Sequence, residues 1–235
     1  MKAILLCGGQ GARLRPYTYN IPKPMLPLGR KPILEYVIRN LKSNGVIEFY
    51  LTVGYLKSQI TGYFGDGKKL GVKIHYVEEK EALNTAGSTL PVKGMMKETF
   101  VVQMGDHLSR INVKKMLESH KKAGCIATIG FKRQGIPLDY GVAHINSDGT
   151  VKDFAEKPIV TNFVNAGIYA FEPEIFGYIK PKEDFAKDVF PRMLSAKKPV
   201  NSYIFDDFWL DIGHTEEYEE MNRAISIIEL VTELD

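Results

Sequence analysis

The sequence has little of what defines several common protein classes. Its 235 residues include two cysteines and one tryptophan. Cys7 and Cys125 lie far apart without a Cys-x-x-Cys pair, which excludes a zinc motif or a disulfide framework, and their apolar neighbours predict two buried thiols. No stretch reaches the roughly 20 apolar residues that a membrane-spanning helix needs, so we expect no membrane partner.

A strong charge of either sign is also missing. Thirty-one lysine and arginine residues against 28 aspartate and glutamate residues leave a net charge of +3. This balance gives no broad basic surface for nucleic acid, so any site for a polyanion must be local. The apolar run Ala3-Ile4-Leu5-Leu6 is too short for the roughly 7–15-residue core of a secretory signal, and we expect a cytoplasmic protein.

The sequence does contain apolar runs that alternate with helical patterns. In the first half we predict strands at residues 2–6, 49–53, 72–77 and 100–104, with helices at 33–44 and 56–64 and a loop and helix at 84–96. In the second half we predict strands at 126–131, 140–146, 151–154, 166–171 and 200–205, and helices at 113–123, 184–196 and from 215 onward. The pattern predicts one α/β domain over residues 1–235, with a mixed, mainly parallel sheet flanked by helices.

A glycine-rich turn, Gly8-Gly9-Gln10-Gly11, follows the first strand. Glycines at this place allow backbone N–H groups to approach phosphate oxygens closely. A dinucleotide fingerprint would need a glycine at Leu14 and a prompt helix, which Pro16 prevents. A Walker A loop would need Gly-Lys followed by Ser or Thr, and the sequence has no such triplet.

The residues after the turn match another pattern. Gly11-Ala12-Arg13-Leu14-Arg15-Pro16, Pro22-Lys23-Pro24-Met25 and Lys31-Pro32 resemble the signature of the sugar-1-phosphate nucleotidylyltransferases. The resemblance continues through Thr85-Ala86-Gly87, Gly105-Asp106, Tyr140-Gly141-Val142, Glu156-Lys157-Pro158, Asn165-Ala166-Gly167 and Trp209-Leu210-Asp211-Ile212-Gly213, and so covers nearly the whole chain.

This resemblance implies a Rossmann-like, GT-A-like fold and a specific reaction. A sugar-1-phosphate oxygen attacks the α-phosphorus of a nucleoside triphosphate in line, and pyrophosphate leaves. Since the nucleophile is already an anion, the protein must supply cations, backbone donors and a metal rather than a base. The resemblance assigns Arg13 and Lys23 to the phosphates, and Mg²⁺ to Asp106 and Asp211, with Asp106 directly after a predicted strand.

The resemblance also divides the remaining site residues between two substrates. On the sugar-phosphate side it implies Lys157 for the phosphate and Glu156 for sugar hydroxyls, completed by Asn165 and the backbone of Gly141. On the nucleotide side it implies the residues Leu6, Gly8, Gly9, Gly11, Glu79, Asn84 and Gly87.

Glu79 stands where thymidylyl- and uridylyltransferases typically have a glutamine. A carboxylate only accepts hydrogen bonds, and guanine offers two adjacent donors, whereas uracil and thymine offer one donor between two acceptors. The Leu83-Asn84-Thr85-Ala86-Gly87 pattern also resembles guanylyltransferases, so the residues favour GTP. A solvent-facing Glu79, with the base bound by backbone groups, would instead fit dTTP or UTP.

The sequence is also compatible with two other functions. One is a non-catalytic regulatory subunit that binds nucleotide sugars, although such proteins lose cations or metal ligands that this sequence keeps. The other is a cytidylyltransferase that acts on phosphocholine, against which Glu156 and Asn165 favour a polyhydroxylated acceptor. We expect no C-terminal β-helix domain, so a homo-oligomer would use surfaces of this one domain.

Overall fold

A computed structural model describes the backbone of residues 1–232 and the side chains of residues 1–225. The strands are β1 Lys2–Cys7, β2 Pro27–Leu28, β3 Lys31–Pro32, β4 Glu48–Val53, β5 Lys73–Glu78, β6 Phe100–Met104, β7 His107–Ser109, β8 Ala127–Pro137, β9 Val142–Ile145, β10 Val151–Ala155, β11 Ile159–Phe171, β12 Val200–Phe205 and β13 Trp209–Asp211. The α-helices are α1 Ile33–Ser43, α2 Lys57–Phe64, α3 Asn84–Gly87, α4 Val113–Ala123, α5 Phe190–Ser195 and α6 Thr215–Thr232. Short 3₁₀ helices lie at Ala12–Leu14, Tyr17–Tyr19, Lys23–Met25, Lys68–Leu70, Leu90–Met95 and Pro173–Tyr178.

Seven strands form the central sheet, in the order β12-β8-β11-β6-β1-β4-β5. Strand β1 pairs in parallel with β4 and β6, and β4 pairs in parallel with β5. Strand β11 runs antiparallel to both β6 and β8, and β12 is parallel to β8. The predicted mixed, mainly parallel sheet is therefore confirmed.

Both faces of this sheet are covered, which explains the continuous apolar runs of its strands. On one face Ala3 and Leu5 of β1 pack with residues of α1, α2 and α4. On the other face Ile4 and Leu6 pack with the segment that follows α3 and with residues 175–193. Successive residues of β1 thus belong to opposite cores, as the two-residue period of a strand requires.

The parallel direction of β1, β4, β5 and β6 brings their carboxyl ends to one edge of the sheet. Gly8, Glu79 and Gly105-Asp106 each follow directly after one of these strands. In open α/β sheets ligands bind in the crevice outside this edge. The glycine turn, the base-contact candidate and the first metal-ligand candidate therefore share one crevice.

Strands β8 and β11 continue past the sheet at the same edge. Their register pairs Lys132 with Val164 and Pro137 with Ile159, and the β9–β10 hairpin lies between them in sequence. We call residues 132–164 the arm. Several of its apolar side chains are exposed, such as Tyr140 at 80% and Phe154 at 66%.

The structure departs from the predicted elements in a few places. The helix predicted within residues 84–96 is only the four-residue α3 followed by a 3₁₀ turn, and the one predicted at 184–196 starts as a wider turn at Phe185–Val189 before α5. Cys7 is buried as predicted, but Cys125 is only half-buried, because it lies in the surface turn after α4.

Candidate active site

The glycine turn forms the floor of a cavity at the carboxyl edge. Gly11 has a φ of +62°, and a Cβ there would lie 3.0 Å from Cβ of Lys23 and from Cγ2 of Thr18. The Thr18 hydroxyl donates a 2.8 Å hydrogen bond to the carbonyl of Gly11, which fixes the turn. The cavity has a volume of about 310 Å³ and is lined by Leu6, Cys7, Gly9, Gly11, Ala12, Arg13, Leu14, Lys23, Pro24, Met104, Asp106 and Gly213.

Lys23 connects the two predicted metal ligands. Its Nζ lies 2.6 Å from Oδ2 of Asp106 and 3.4 Å from Oδ1 of Asp211. The lysine is largely buried, at 8% exposure, within the short 3₁₀ helix that follows Pro22. Three residues that the sequence separates by up to 188 positions therefore form one charged cluster.

A two-stranded ladder brings the aspartates together. Strand β13 pairs antiparallel with β7, and Asp211 lies directly opposite His107. Directly opposed residues of an antiparallel pair project to the same face, about 5 Å apart. Asp106, the residue before β7, is thus held beside Asp211. The sequence did not predict either of these three-residue strands.

The same ladder also places the side chain of His107 beside the two aspartates. Its Nε2 lies 3.2 Å from Oδ1 of Asp211 and 3.9 Å from Oδ1 of Asp106, and its Nδ1 lies 3.0 Å from the carbonyl of Ala166. Burial lowers the pKa of His107, but the hydrogen bond to Asp211 and the charge of Asp106 outweigh it and raise the pKa above its ordinary value. Burial raises the pKa of Asp211, but His107 and Lys23 together hold it well below its ordinary value.

The donor set fits a divalent cation. One carboxylate oxygen of Asp106, Oδ1, is buried and has no hydrogen-bond partner among the described residues. This oxygen is the kind of unsatisfied buried group that calls for an ion or another partner. Ligand atoms of Asp106, His107 and Asp211 all lie within 4.8 Å of one another. The predicted aspartate pair can therefore hold a cation at the end of β6.

Glu79 faces a second, smaller cavity on the other side of the glycine turn. This cavity has a volume of about 190 Å³ and is lined by Leu6, Gly8, Gly9, Thr52, Glu79, Ala82, Leu83, Asn84, Thr85, Ser88 and Met104. A Cβ at Gly8 would lie 2.7 Å from Oε2 of Glu79, so a side chain there would displace this carboxylate. Oε1 of Glu79 is buried and unpartnered among the described residues, which contradicts the alternative of a fully solvent-facing Glu79.

The wall of this smaller cavity is held by a segment about a hundred residues further on. Thr85 donates a 2.7 Å hydrogen bond to Oδ2 of Asp184 and accepts one from the backbone N–H of Phe185. The backbone N–H groups of Ala86 and Gly87 both donate to the carbonyl of Glu183, at 3.0 Å. We call these contacts the clamp. Sequence reasoning missed them because neither segment carries a pattern that specifies the other.

Asn84 and Gly87 also contact the segment that the clamp holds, and only Asn84 of these two lines the smaller cavity. Asn84 has a φ of +57°, the left-handed conformation expected of an asparagine at this place, and its side chain donates to the carbonyl of Lys182. A Cβ at Gly87 would lie 2.7 Å from the backbone nitrogen of Lys182. Gly87 therefore permits close approach of two backbones, with no contact to the cavity.

The sugar-side candidates lie on or beside the arm. Glu156 is exposed but adjacent to Gly141, where a Cβ would lie 2.8 Å from its Oε2. Lys157 is exposed, with a φ of +46°. The side chain of Asn165 accepts from the N–H of Gly167 and donates to the hydroxyl of Tyr169, so both of its polar atoms stabilise a bulge in β11. The lining of the 310 Å³ cavity does not include these residues.

A third cavity, of about 450 Å³, lies between the arm and the aspartate cluster. It is lined by Arg13, Lys132, Gln134, Trp209, Leu210, Asp211, Gly213, His214 and Glu217. Arg13 lines this cavity and the 310 Å³ cavity, and so connects them. Lys132 and Gln134 were not predicted as site residues, although their spacing of two on a strand places them on one face.

Comparisons with known proteins identify the family of this chain. The model of a family described as nucleotidyl transferase matches residues 2–226. A UTP–glucose-1-phosphate uridylyltransferase of Synechocystis is 34% identical over 96% of this chain, and the chain spans 63% of that relative's length. A D-glycero-α-D-manno-heptose 1-phosphate guanylyltransferase of Campylobacter jejuni is 35% identical over 93% of this chain and 97% of its own. The crystal structure of HddC from Yersinia pseudotuberculosis superposes with a TM-score of 0.76 at 25% identity, covering 95% of this chain and 98% of the other.

Proposed function

The chain belongs to the nucleotidyl transferase family, and we propose that it transfers a nucleoside monophosphate from a nucleoside triphosphate to a sugar-1-phosphate. The observation that carries this proposal is the cluster of Lys23, Asp106 and Asp211 directly beside the glycine turn. The named relatives act on hexose and heptose 1-phosphates, and we propose an acceptor of this class.

The proposed reaction requires the two substrates to be positioned and their charge offset, and it requires no general base. A phosphate oxygen of the sugar-1-phosphate forms a bond to the α-phosphorus, the bond from that phosphorus to the β-phosphate oxygen breaks, and pyrophosphate leaves with its electron pair. Backbone N–H groups of the turn at Gly9 and Gly11 face the triphosphate in this proposal, and Arg13 and Lys23 offset its charge. Glu156 and Lys157 bind the sugar-1-phosphate from the arm.

We propose Mg²⁺ as the cation held by Asp106 and Asp211. When bound, it would neutralise charge on the phosphates as the α-phosphorus is attacked. The donor chemistry supports this assignment, because carboxylate oxygens are the protein ligands that Mg²⁺ prefers. Lys23 bonds the other oxygen of Asp106, so it leaves the unpartnered Oδ1 available to an ion.

We propose GTP as the nucleotide, with dTTP and UTP as the less favoured candidates. The buried Oε1 of Glu79 points to this choice, since an unpartnered carboxylate oxygen costs stability until donors reach it. Guanine supplies two adjacent donors, N1–H and the N2 amine, which a carboxylate can accept together. We propose that the enzyme acts in the cytoplasm, because nucleoside triphosphates are made there. Among the described residues, none of the helices has both the length and the apolar character that spanning a bilayer requires.

Pyrophosphate release tests the reaction. Purified protein with Mg²⁺ is given GTP, dTTP, UTP, CTP or ATP together with phosphocholine or one of a panel of hexose and heptose 1-phosphates, and the products are separated by mass. We expect one sugar nucleotide to form fastest with GTP. Absence of pyrophosphate with every pair would overturn the proposal, and a product from CTP with phosphocholine alone would replace it.

A substitution at Glu79 tests the proposed preference for GTP. Glu79→Gln keeps the size of the side chain but replaces one acceptor oxygen by a donor, so we expect kcat/KM for GTP to fall at least about tenfold relative to UTP. Glu78→Gln is the matched control, because Glu78 lies one residue earlier, is exposed and pairs with Lys57. An unchanged GTP-to-UTP ratio in Glu79→Gln would contradict the assignment.

A further inference from the structure

The side chain of His107 contacts the aspartate cluster through one ring nitrogen and a backbone carbonyl through the other. A carbonyl oxygen can only accept, so the 3.0 Å contact between Nδ1 and the carbonyl of Ala166 makes Nδ1 an N–H donor, and a neutral ring then carries its free lone pair on Nε2. The other nitrogen, Nε2, therefore faces Asp106 and Asp211. Histidines that bind metals usually donate their second ring N–H to a carbonyl or carboxylate in this manner.

The surroundings of the ring fix this orientation from three sides. Trp209 donates a 2.9 Å hydrogen bond to the same carbonyl of Ala166, and its ring meets the imidazole edge-on at 5.8 Å. Gly167, with a φ of +67°, leaves space for the imidazole, because a Cβ there would lie 2.6 Å from Nδ1. The bulge of β11 at residues 165–169 turns the Ala166 carbonyl toward β7. Two strands and a tryptophan thus hold Nε2 in one position.

The distances suit a shared ion. Donor atoms bound to one small cation at about 2.1 Å can lie no more than about 4.2 Å apart. Nε2 of His107 lies 3.2 Å from Oδ1 of Asp211 and 3.9 Å from Oδ1 of Asp106, the oxygen that has no other partner among the described residues. Lys23 contacts the opposite oxygen of Asp106, which leaves Oδ1 of Asp106 to the ion, and its longer 3.4 Å contact to Oδ1 of Asp211 is one that a bound ion would share or replace.

We propose that His107 is a third protein ligand of the cation, which makes the site bind Mn²⁺ and other transition metals more tightly than a two-carboxylate site would. Imidazole nitrogen stabilises these ions more than it stabilises Mg²⁺, which favours oxygen donors and retained water. This inference rests on the proposed function, since it takes the aspartate pair to be the cation site. It adds a residue that determines which ion the enzyme uses.

The direct test is the electron spin-echo spectrum of Mn²⁺ added alone to the full-length protein. We expect a ¹⁴N modulation from a coordinated imidazole, which changes to the ¹⁵N pattern when the histidines are ¹⁵N-labelled. The labelling needs no substitution and so does not depend on the folding of a variant. Bound Mn²⁺ without nitrogen modulation, or no binding of Mn²⁺ alone, would overturn the proposal.

A variant supplies the second measurement. In titration calorimetry, His107→Gln should lose at least about tenfold in Mn²⁺ affinity and less than about threefold in Mg²⁺ affinity. His144→Gln is the matched control, because His144 forms a similar histidine–aspartate contact with Asp153 on the exposed arm. Equal losses for both ions in His107→Gln would reduce His107 to a residue that only supports Asp211.

These outcomes separate the two proposals. Nitrogen modulation without any sugar nucleotide formed would leave the metal site and remove the proposed reaction. Product formation with Mg²⁺ and a Mn²⁺ spectrum free of nitrogen would leave the reaction and remove His107 as a ligand.

Discussion

The nucleotide side and the arm differ in how their residues are held. On the nucleotide side, Glu79 is packed against Gly8, and the clamp fastens the opposite wall through Thr85 and Asp184. On the arm, Glu156 and Lys157 are exposed and lie in the turn that follows β10, whose Phe154 ring is also exposed. Regions with few buried contacts open at lower free energy than the core.

This difference means that one crevice would combine two kinds of binding site. The proposed nucleotide cavity is preorganised by buried contacts, so the protein would order few groups when a base binds. On the arm, the proposed contacts to the sugar-1-phosphate lie in the exposed turn between β10 and β11, so they would depend on local geometry at Gly141 and Glu156. Variants on the two sides should therefore affect different substrates.

The largest expected effect comes from the cluster that both sides share. Asp106→Asn removes one carboxylate from the proposed cation and from Lys23, so kcat should fall by about a hundredfold or more, while the KM values of both substrates change far less. Steady-state kinetics measure this. Asp66→Asn, which breaks a surface pair with Lys68, is the control and should keep full activity. Inactivation that merely parallels a loss of folded protein would contradict a chemical role for Asp106.

The next effect separates the arm from the nucleotide side. Glu156→Ala removes a charged acceptor for sugar hydroxyls, so KM for the sugar-1-phosphate should rise about tenfold or more and KM for GTP should stay unchanged. Asp153→Asn lies on the same arm but pairs with His144, and should alter neither value. A rise in both KM values for Glu156→Ala would mean that the arm also shapes the nucleotide cavity.

The smallest effect concerns the clamp. Thr85→Val removes both the hydrogen bond to Asp184 and the one from the N–H of Phe185, and leaves untouched the oxygen of Asp184 that accepts from Ala186 and Lys187. KM for GTP should rise about three- to tenfold with the sugar-1-phosphate KM unchanged, and Thr85→Ser should restore it.

A threonine elsewhere in the chain provides the control for this variant. Thr99 donates a 2.6 Å hydrogen bond to Glu172 far from the site, so Thr99→Val should lower the melting temperature to a similar degree without changing KM for GTP. Equal KM effects in the two valine variants would assign the clamp a role in stability alone.

Much of the fold followed from the sequence because the central strands are buried on both faces. Continuous apolar runs such as those of β1 and β6 can be recognised without knowing their partners. The arm was harder to predict. Strand β8 continues through Lys132-Arg133-Gln134, and β11 begins at Ile159 rather than at the predicted Ala166, because strands solvated on both sides keep no apolar period.

The sequence predicted those site residues that belong to the motifs shared with the family. Arg13, Lys23, Asp106 and Asp211 came from the resemblance, and the structure places the last three in contact. His107 and Thr85 gain their positions from partners roughly 60 to 100 residues away, Ala166 and Asp184. Such long-range hydrogen bonds depend on the assembled sheet, and no local pattern of residue types specifies them.

The ladder between β7 and β13 also sets an order of assembly during synthesis. All seven strands of the central sheet are translated by Phe205, yet Asp211 follows them. Lys23 and Asp106 precede Asp211 by about a hundred residues or more. A nascent chain therefore cannot close the aspartate pair until all seven strands of the central sheet have been translated.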